Sequence, residues 1–317
     1  MMATNISKIT LLFFLLAFAQ SACVKVEAWD YDPAAVPKDF VPLKKPDPGK
    51  GYNLHVPAFP IPANFEREWF MRLPIGNTEE IYMSGYEVKQ REGSHHVIAY
   101  QYEDEQKAGL PKIGELRDQN QPDGRINPFS NMENMNLLAE AASPYQRVDF
   151  PEGFAVPIAA NSTLDLNSHY FNKTNQTIFG EVSMNIYTKP KSEVKYFLKQ
   201  QSADNIDVLV LPPKKTTTIE YKETFFEKRK LKVLFSHMHK RGKKFEVYYL
   251  GGPKDGQLMY SNDNWHDPKF VYLPDFIEIE KGNGVRTMIT YENDTNREIR
   301  FGVTSEDEMG IFFYFYL

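Results

Sequence analysis

The chain has 317 residues, 42% hydrophobic and 25% charged, which excludes a disordered protein and leaves room for two ordinary domains. An aromatic share of 14%, with 23 Phe and 18 Tyr, leans towards β structure, and 21 Pro with 18 Gly supply the breaks that short strands need. A net charge of −5 argues against nucleic acid as a partner.

Residues 1–22 read as a signal peptide for export: Lys8 is their only charge, and Ile9 to Ala19 is an apolar run ending in small residues. That run is short for a transmembrane helix, and no other long apolar run occurs. Without it the balance is 36 basic against 42 acidic residues, a charge of −6. The single cysteine, Cys23, follows Gln20-Ser21-Ala22, so no internal disulfide can form. Its position resembles the lipidated first residue of a bacterial lipoprotein, although Gln20 sits where Leu is usual. A cut after Ala17-Phe18-Ala19 is the alternative. The expectation is an exported protein, lipid-anchored to a bacterial membrane through Cys23 or else periplasmic or secreted. Beyond the signal peptide, four Asn-x-Ser/Thr sequons, at Asn161, Asn172, Asn175 and Asn293, matter only in a eukaryote.

Residues 23–63, rich in Pro, Asp and Lys, read as a tether and N-terminal extension. Strand-like runs follow at Glu68 to Leu73, Glu80 to Val88 and His95 to Tyr102. A polar stretch then carries one helical candidate, Asn131 to Ala142. Strands resume from Arg147 to Tyr187. Lys189-Pro190-Lys191-Ser192 marks a boundary between a first β-sandwich, 64–190, and a second, 191–317. The second ends in a wholly apolar and aromatic strand, Gly310 to Leu317, expected to be buried. Lys240 to Lys244 reads as a solvated hairpin turn. No short internal repeat is evident.

Histidine supplies the chemistry. In Phe235-Ser236-His237-Met238-His239 two imidazoles fall on one face of a strand and can share an ion, or else stand exposed on a hairpin. His95 and His96 are adjacent, so both reach one ion only at a bulge or strand start, which Glu92-Gly93-Ser94 could supply. His169 sits on the polar face of its strand and alone signals nothing. Met309 resembles any core methionine, yet two imidazoles with a thioether suit copper. His55 and His266 read as non-ligands.

Together these residues resemble the copper type II, ascorbate-dependent monooxygenase family, which contains the peptidylglycine α-hydroxylating and dopamine β-hydroxylating enzymes. Four motifs run in the family's order: His95-His96, then Asn167-Ser168-His169-Tyr170, His237-Met238-His239, and Thr304-Ser305-Glu306-Asp307-Glu308-Met309. The resemblance implies an all-β fold of two antiparallel jelly-roll-type sandwiches in tandem. It implies two copper ions per chain, one on His95, His96 and His169, the other on His237, His239 and Met309, facing each other across an open, solvent-filled cleft. O₂ would react at the second set, which is the catalytic one, and the first would deliver an electron; ascorbate or an equivalent reductant is the implied co-substrate. Where the peptide-amidating branch has an Arg, an Asn and a Tyr to hold its substrate, this chain has Phe235, Ile311 and Phe313. A small, weakly polar or aromatic substrate is therefore expected. The competing reading is an exported copper-binding, storage or carrier protein on the same scaffold.

Overall fold

The computed structural model describes residues 31–118, 134–266, 268, 270–302 and 306–317. The export signal, Cys23, Thr304 and Ser305 lie outside the described residues. Among the described residues no helix is long and apolar enough to cross a membrane.

The strands of the first half are β1 (Gly51–Ile61), β2 (Phe65–Pro74), β3 (Ile81–Gln90), β4 (Ser94–Tyr102), β5 (Leu116–Asp118), β6 (Met135–Ala141), β7 (Tyr145–Asp149), β8 (Phe154–Ile158), β9 (Thr163–Asn172) and β10 (Ile178–Thr188). A single 3₁₀ turn, Lys191–Glu193, leads to β11 (Tyr196–Phe197), β12 (Lys199–Asp204), β13 (Val210–Leu211), β14 (Lys215–Thr224), β15 (Arg229–Met238) and β16 (Gly242–Leu250). The chain ends with β17 (Leu258–Asn262), β18 (Val271–Ile279), β19 (Gly284–Asn293), β20 (Ile299–Arg300) and β21 (Gly310–Tyr316). Over the described residues the protein is all-β, and its strands pair antiparallel apart from β11 with β8.

Two expectations need correcting. The segment assigned to a tether contains β1, which pairs with β10 from Gly51↔Tyr187 to Ile61↔Ile178 and buries Leu54, Val56, Phe59 and Ile61. Its alternation is broken by a bulge between Val56 and Phe59, which hid the period. The helical candidate at 131–142 is, over its described part, strand β6. Its Leu, Ala and Glu favour a helix locally, but pairing with β4 buries Leu137, Leu138, Ala139 and Ala141, and packing overrides propensity.

Each half repeats one strand order. In the first, β1-β10-β3-β8 faces β5-β2-β9-β4-β6 across a shared core; in the second, β12-β21-β15-β18 faces β14-β19-β16-β17. The match reaches individual residues. Asn172 Nδ2 donates to the carbonyls of Ile61, Pro62 and Gln176, while Thr174 caps its Oδ1. Asn293 Nδ2 donates to those of Leu211, Pro212 and Arg297, with Thr295 as the cap. The corner is the same: Ile61↔Ile178 and Phe65↔Asn172 correspond to Leu211↔Ile299 and Lys215↔Asn293. The repeat escaped the sequence reading because it reduces to Asn-x-Thr-Asn-x-x-Ile.

The sheet of β15 and β21 serves two cores, as a period of two demands. Leu231, Leu234, Phe312 and Tyr314 point into the second half, whereas Val233, Phe235, Ile311, Phe313 and Phe315 join the core cluster of the first. The terminal strand is buried throughout, as its composition required. His237 and His239 share the parity of Val233 and Phe235, so this packing turns both imidazoles towards the first half.

Candidate metal centre

The first donor set sits on the outer face of the sheet of β2, β9 and β4. His169 projects from β9, and His96 is its register partner on β4. His95 would face the opposite side of a regular strand, but the pairing shifts between Ser94 and His96, so both imidazoles turn to one side. One ring nitrogen from each of His95, His96 and His169 lies within 4.8 Å of the others. His95 Nδ1 and His96 Nδ1 are 2.8 Å apart.

Neighbours fix the tautomers. His169 Nε2 meets Glu66 Oε1 at 2.7 Å, and His169 Nδ1 is buried with no hydrogen-bond partner. His96 Nε2 meets Asn167 Oδ1 at 3.2 Å, and Asn167 in turn donates to Glu68 Oε1 at 2.9 Å. An imidazole that donates Nε2–H to an oxygen carries its lone pair at Nδ1, the form a metal takes. Burial, then the neighbouring imidazoles, pushes His95 down to about 3 and holds His96 well below the ordinary range. Both are therefore neutral donors at physiological pH. Burial raises Glu68.

The second set lies at the end of β15 and the start of β21. His237 and His239 have ring centroids 5.1 Å apart at 90°. Burial and then His239 hold His237 well below its ordinary value, and burial lowers His239 to about 4 despite its contact with the Asp307 carbonyl. Glu308, fully buried, organises the corner: its carboxylate accepts from the backbone N–H of Arg241 at 2.6 Å, His239 at 3.0 Å and Met309 at 3.3 Å. The basic hairpin is thus only partly solvated, since Arg241 is buried and bonds to Glu306. Glu308, Glu66 and Asn167 escaped the sequence reading because each supports a donor rather than being one.

The sets are not separated by an open cleft. His96 and His237 stand edge to face with centroids 6.1 Å apart, because the apolar face of β15 and β21 packs into the first half and draws them together. A cavity of about 970 Å³ touches both, lined by His96 on one side and by His237, His239 and Met309 on the other. Phe70, Ile98, Ile311 and Phe313 supply apolar wall, and Phe313 is stacked on Phe235 at 4.7 Å. His55 lies apart, paired with Glu181 at 2.9 Å. His266 meets His95 at 5.2 Å but does not converge with the three histidines.

Residues 208–317 match the model of the copper type II ascorbate-dependent monooxygenase C-terminal domain. Over that span, about the last third of its length, the chain belongs to that family. The matched span holds His237, His239 and Met309, and the family depends on copper and ascorbate. No curated protein matches the chain. Solved structures with some likeness include infectious bursal disease virus Gx strain, at 9% identity over 84% of this chain and 71% of that one, with a TM-score of 0.17. The vicilin from Solanum melongena has 6% identity over 82% and 73%, with a TM-score of 0.15. At such scores neither bears on this chain.

The donors fit copper on their own chemistry. Three converging imidazoles, with an unpartnered buried nitrogen at His169, and two imidazoles beside a thioether, are sets that a borderline or soft ion satisfies.

Proposed function

We propose that this chain is an exported dicopper monooxygenase that hydroxylates a C–H bond of a small, weakly polar or aromatic substrate, using O₂ and a one-electron donor such as ascorbate. One observation carries the reading: His96 of the first donor set and all three members of the second, His237, His239 and Met309, line a single cavity. The repeated strand order supports a tandem of jelly-roll-type sandwiches. Export, with Cys23 as a lipid anchor, rests on the first 23 residues alone.

Copper held by His95, His96 and His169, and by His237, His239 and Met309, would supply one-electron transfer and O₂ activation. The chain's own residues do the rest. Glu66 and Asn167 hold the tautomers of His169 and His96, and loss of such partners typically weakens metal binding ~10–100-fold. Glu308 fixes the backbone that presents His239 and Met309, and the soft Met309 favours the reduced ion. Phe70, Ile98, Ile311 and Phe313 exclude water and accept an apolar body. The wall carries Glu68, Glu103, Glu105, Glu140, Asp204 and Asp207 against Lys199, a balance that repels anions. A substrate with a free carboxylate is thereby disfavoured.

Copper content and ascorbate-dependent O₂ uptake of the purified protein test the proposal. Two coppers per chain are expected, with uptake abolished in Met309→Ala and His237→Ala. Two coppers without turnover across a broad substrate panel would identify a copper store or carrier instead. A protein that takes up no copper would sink both.

A further inference from the structure

His95 is the one partly exposed member of the three-histidine set, and its exposed side is covered from the other half of the molecule. Trp265 lies over the His95 ring with centroids 5.5 Å apart and planes at 26°, and His266 meets the same ring edge to face at 5.2 Å. The segment that delivers them is built, not draped. Asn264 N–H donates to Asn262 Oδ1 at 3.0 Å, and His266 N–H donates to Asn264 Oδ1 at 3.1 Å. Asn262 Nδ2 donates to Ser236 Oγ at 3.1 Å, tying the segment to the strand that carries His237. Trp265 also packs against the second core.

We propose that Trp265 is a positioning residue for the three-histidine centre, supplied in trans by the second half of the chain; this rests on the dicopper reading above. The physical need is specific. The terminal torsion of a histidine is broad and nearly two-fold, so a half-exposed ring can turn Nδ1 outwards and present a carbon to the ion. A stacked indole removes that freedom for His95, where no Asn167 or Glu66 does so. His95 Nε2 is buried and has no hydrogen-bond partner in the structure, so beside the Nδ1 contact with His96 and the edge of His266 the stack is the face-on restraint on the ring. The same indole keeps water from the face of the centre that the first half leaves open. A stacked aromatic ligand neighbour from one half thus makes the metal site of the other half complete only when the two are docked.

The contact is testable without metal. The chain has three tryptophans, so the emission lost in Trp265→Phe isolates the Trp265 contribution. In the metal-free full chain His95→Ala should shift that contribution, whereas His237→Ala should not. In the copper-loaded protein, Trp265→Ala should weaken copper at the three-histidine site on the order of tenfold and leave the His237, His239 and Met309 site unchanged. Trp265→Phe, which keeps a stacking ring, should stay within about twofold of wild type. Unchanged emission in His95→Ala, or wild-type copper affinity in Trp265→Ala, would overturn the assignment. Failure of both sites to take copper would overturn the dicopper reading and this role with it, and is told apart by a normal emission response to His95→Ala.

Discussion

The two halves of this molecule share a strand order and a corner, yet they place their donors on opposite arms of the same hairpin. The first half puts His95 and His96 just after the β3–β4 turn; the second puts His237 and His239 just before and within the β15–β16 turn. Registers make the comparison residue by residue. Ser94↔Tyr170 and His96↔His169 correspond to Gly242↔Tyr291 and Lys244↔Thr290, so Lys243, Lys244 and Thr290 stand where the first half has three histidines. Val182↔Gln90 corresponds to Gly310↔Met238, which sets Lys89, Arg91 and Glu181 where the second half has His237, His239 and Met309. There Arg91 pairs with Glu181 at 2.9 Å. One framework thus offers two corners for chemistry, and each half uses one and fills the other with salt-bridged or solvated charge. Because the chosen corners differ, the two sets can face each other instead of pointing the same way.

The largest effect should come from the face that has no counterpart. Phe235 corresponds to Glu87, which is half-exposed and bonded to Tyr145 and Tyr187. Phe235 is fully buried between Phe270 and Phe313. Phe235→Ala should cost about 3–5 kcal/mol and split the denaturant transition if this face is what couples the halves. A single, unshifted transition would show that the halves are held elsewhere.

Next come the twin corners. Asn172→Ala and Asn293→Ala each strand several buried carbonyls and should each cost on the order of 3 kcal/mol, read as a shift in the urea midpoint. A silent variant on one side would break the equivalence.

A smaller effect concerns pH. Burial raises Glu223 to about 7, against the opposing pull of Arg229. A carboxyl raised in the native state favours folding while protonated, so this contribution is full below its ordinary 4.5 and is lost as pH rises to about 7. Glu223→Gln should flatten the stability of the metal-free protein over that window by on the order of 1 kcal/mol, discounted for partial exposure. A wild-type slope in the variant would assign the effect to other groups.

The smallest change should be His55→Ala. It removes an exposed partner of Glu181 at the unused corner and should cost no more than about 0.5 kcal/mol, with copper content unaltered.

What the sequence revealed follows physical range. His237 and His239 were legible because a period of two is local, and the terminal aromatic strand because burial on both faces leaves no polar residue. His95 and His96 needed a bulge, for which Gly93 gave a hint, and the structure places that bulge between Ser94 and His96. His169 was opaque alone, since its meaning comes from register with His96 across some 70 residues. Glu308, Trp265 and the closeness of His96 to His237 depend on how distant strands pack, and no local pattern encodes that. The strand β6 was misread because its helix-favouring residues are decided by their neighbours on β4.

The twin corner also bears on how the protein can be made. Asn172-Lys173-Thr174 and Asn293-Asp294-Thr295 satisfy the acceptor pattern for N-linked sugar, and a secretory pathway that attaches glycans does so before the chain has folded. A sugar on either Nδ2 would remove donors that the corner spends on three backbone carbonyls. Recombinant production in yeast or animal secretory hosts should therefore yield glycosylated, misfolded material, while a host without that machinery should not.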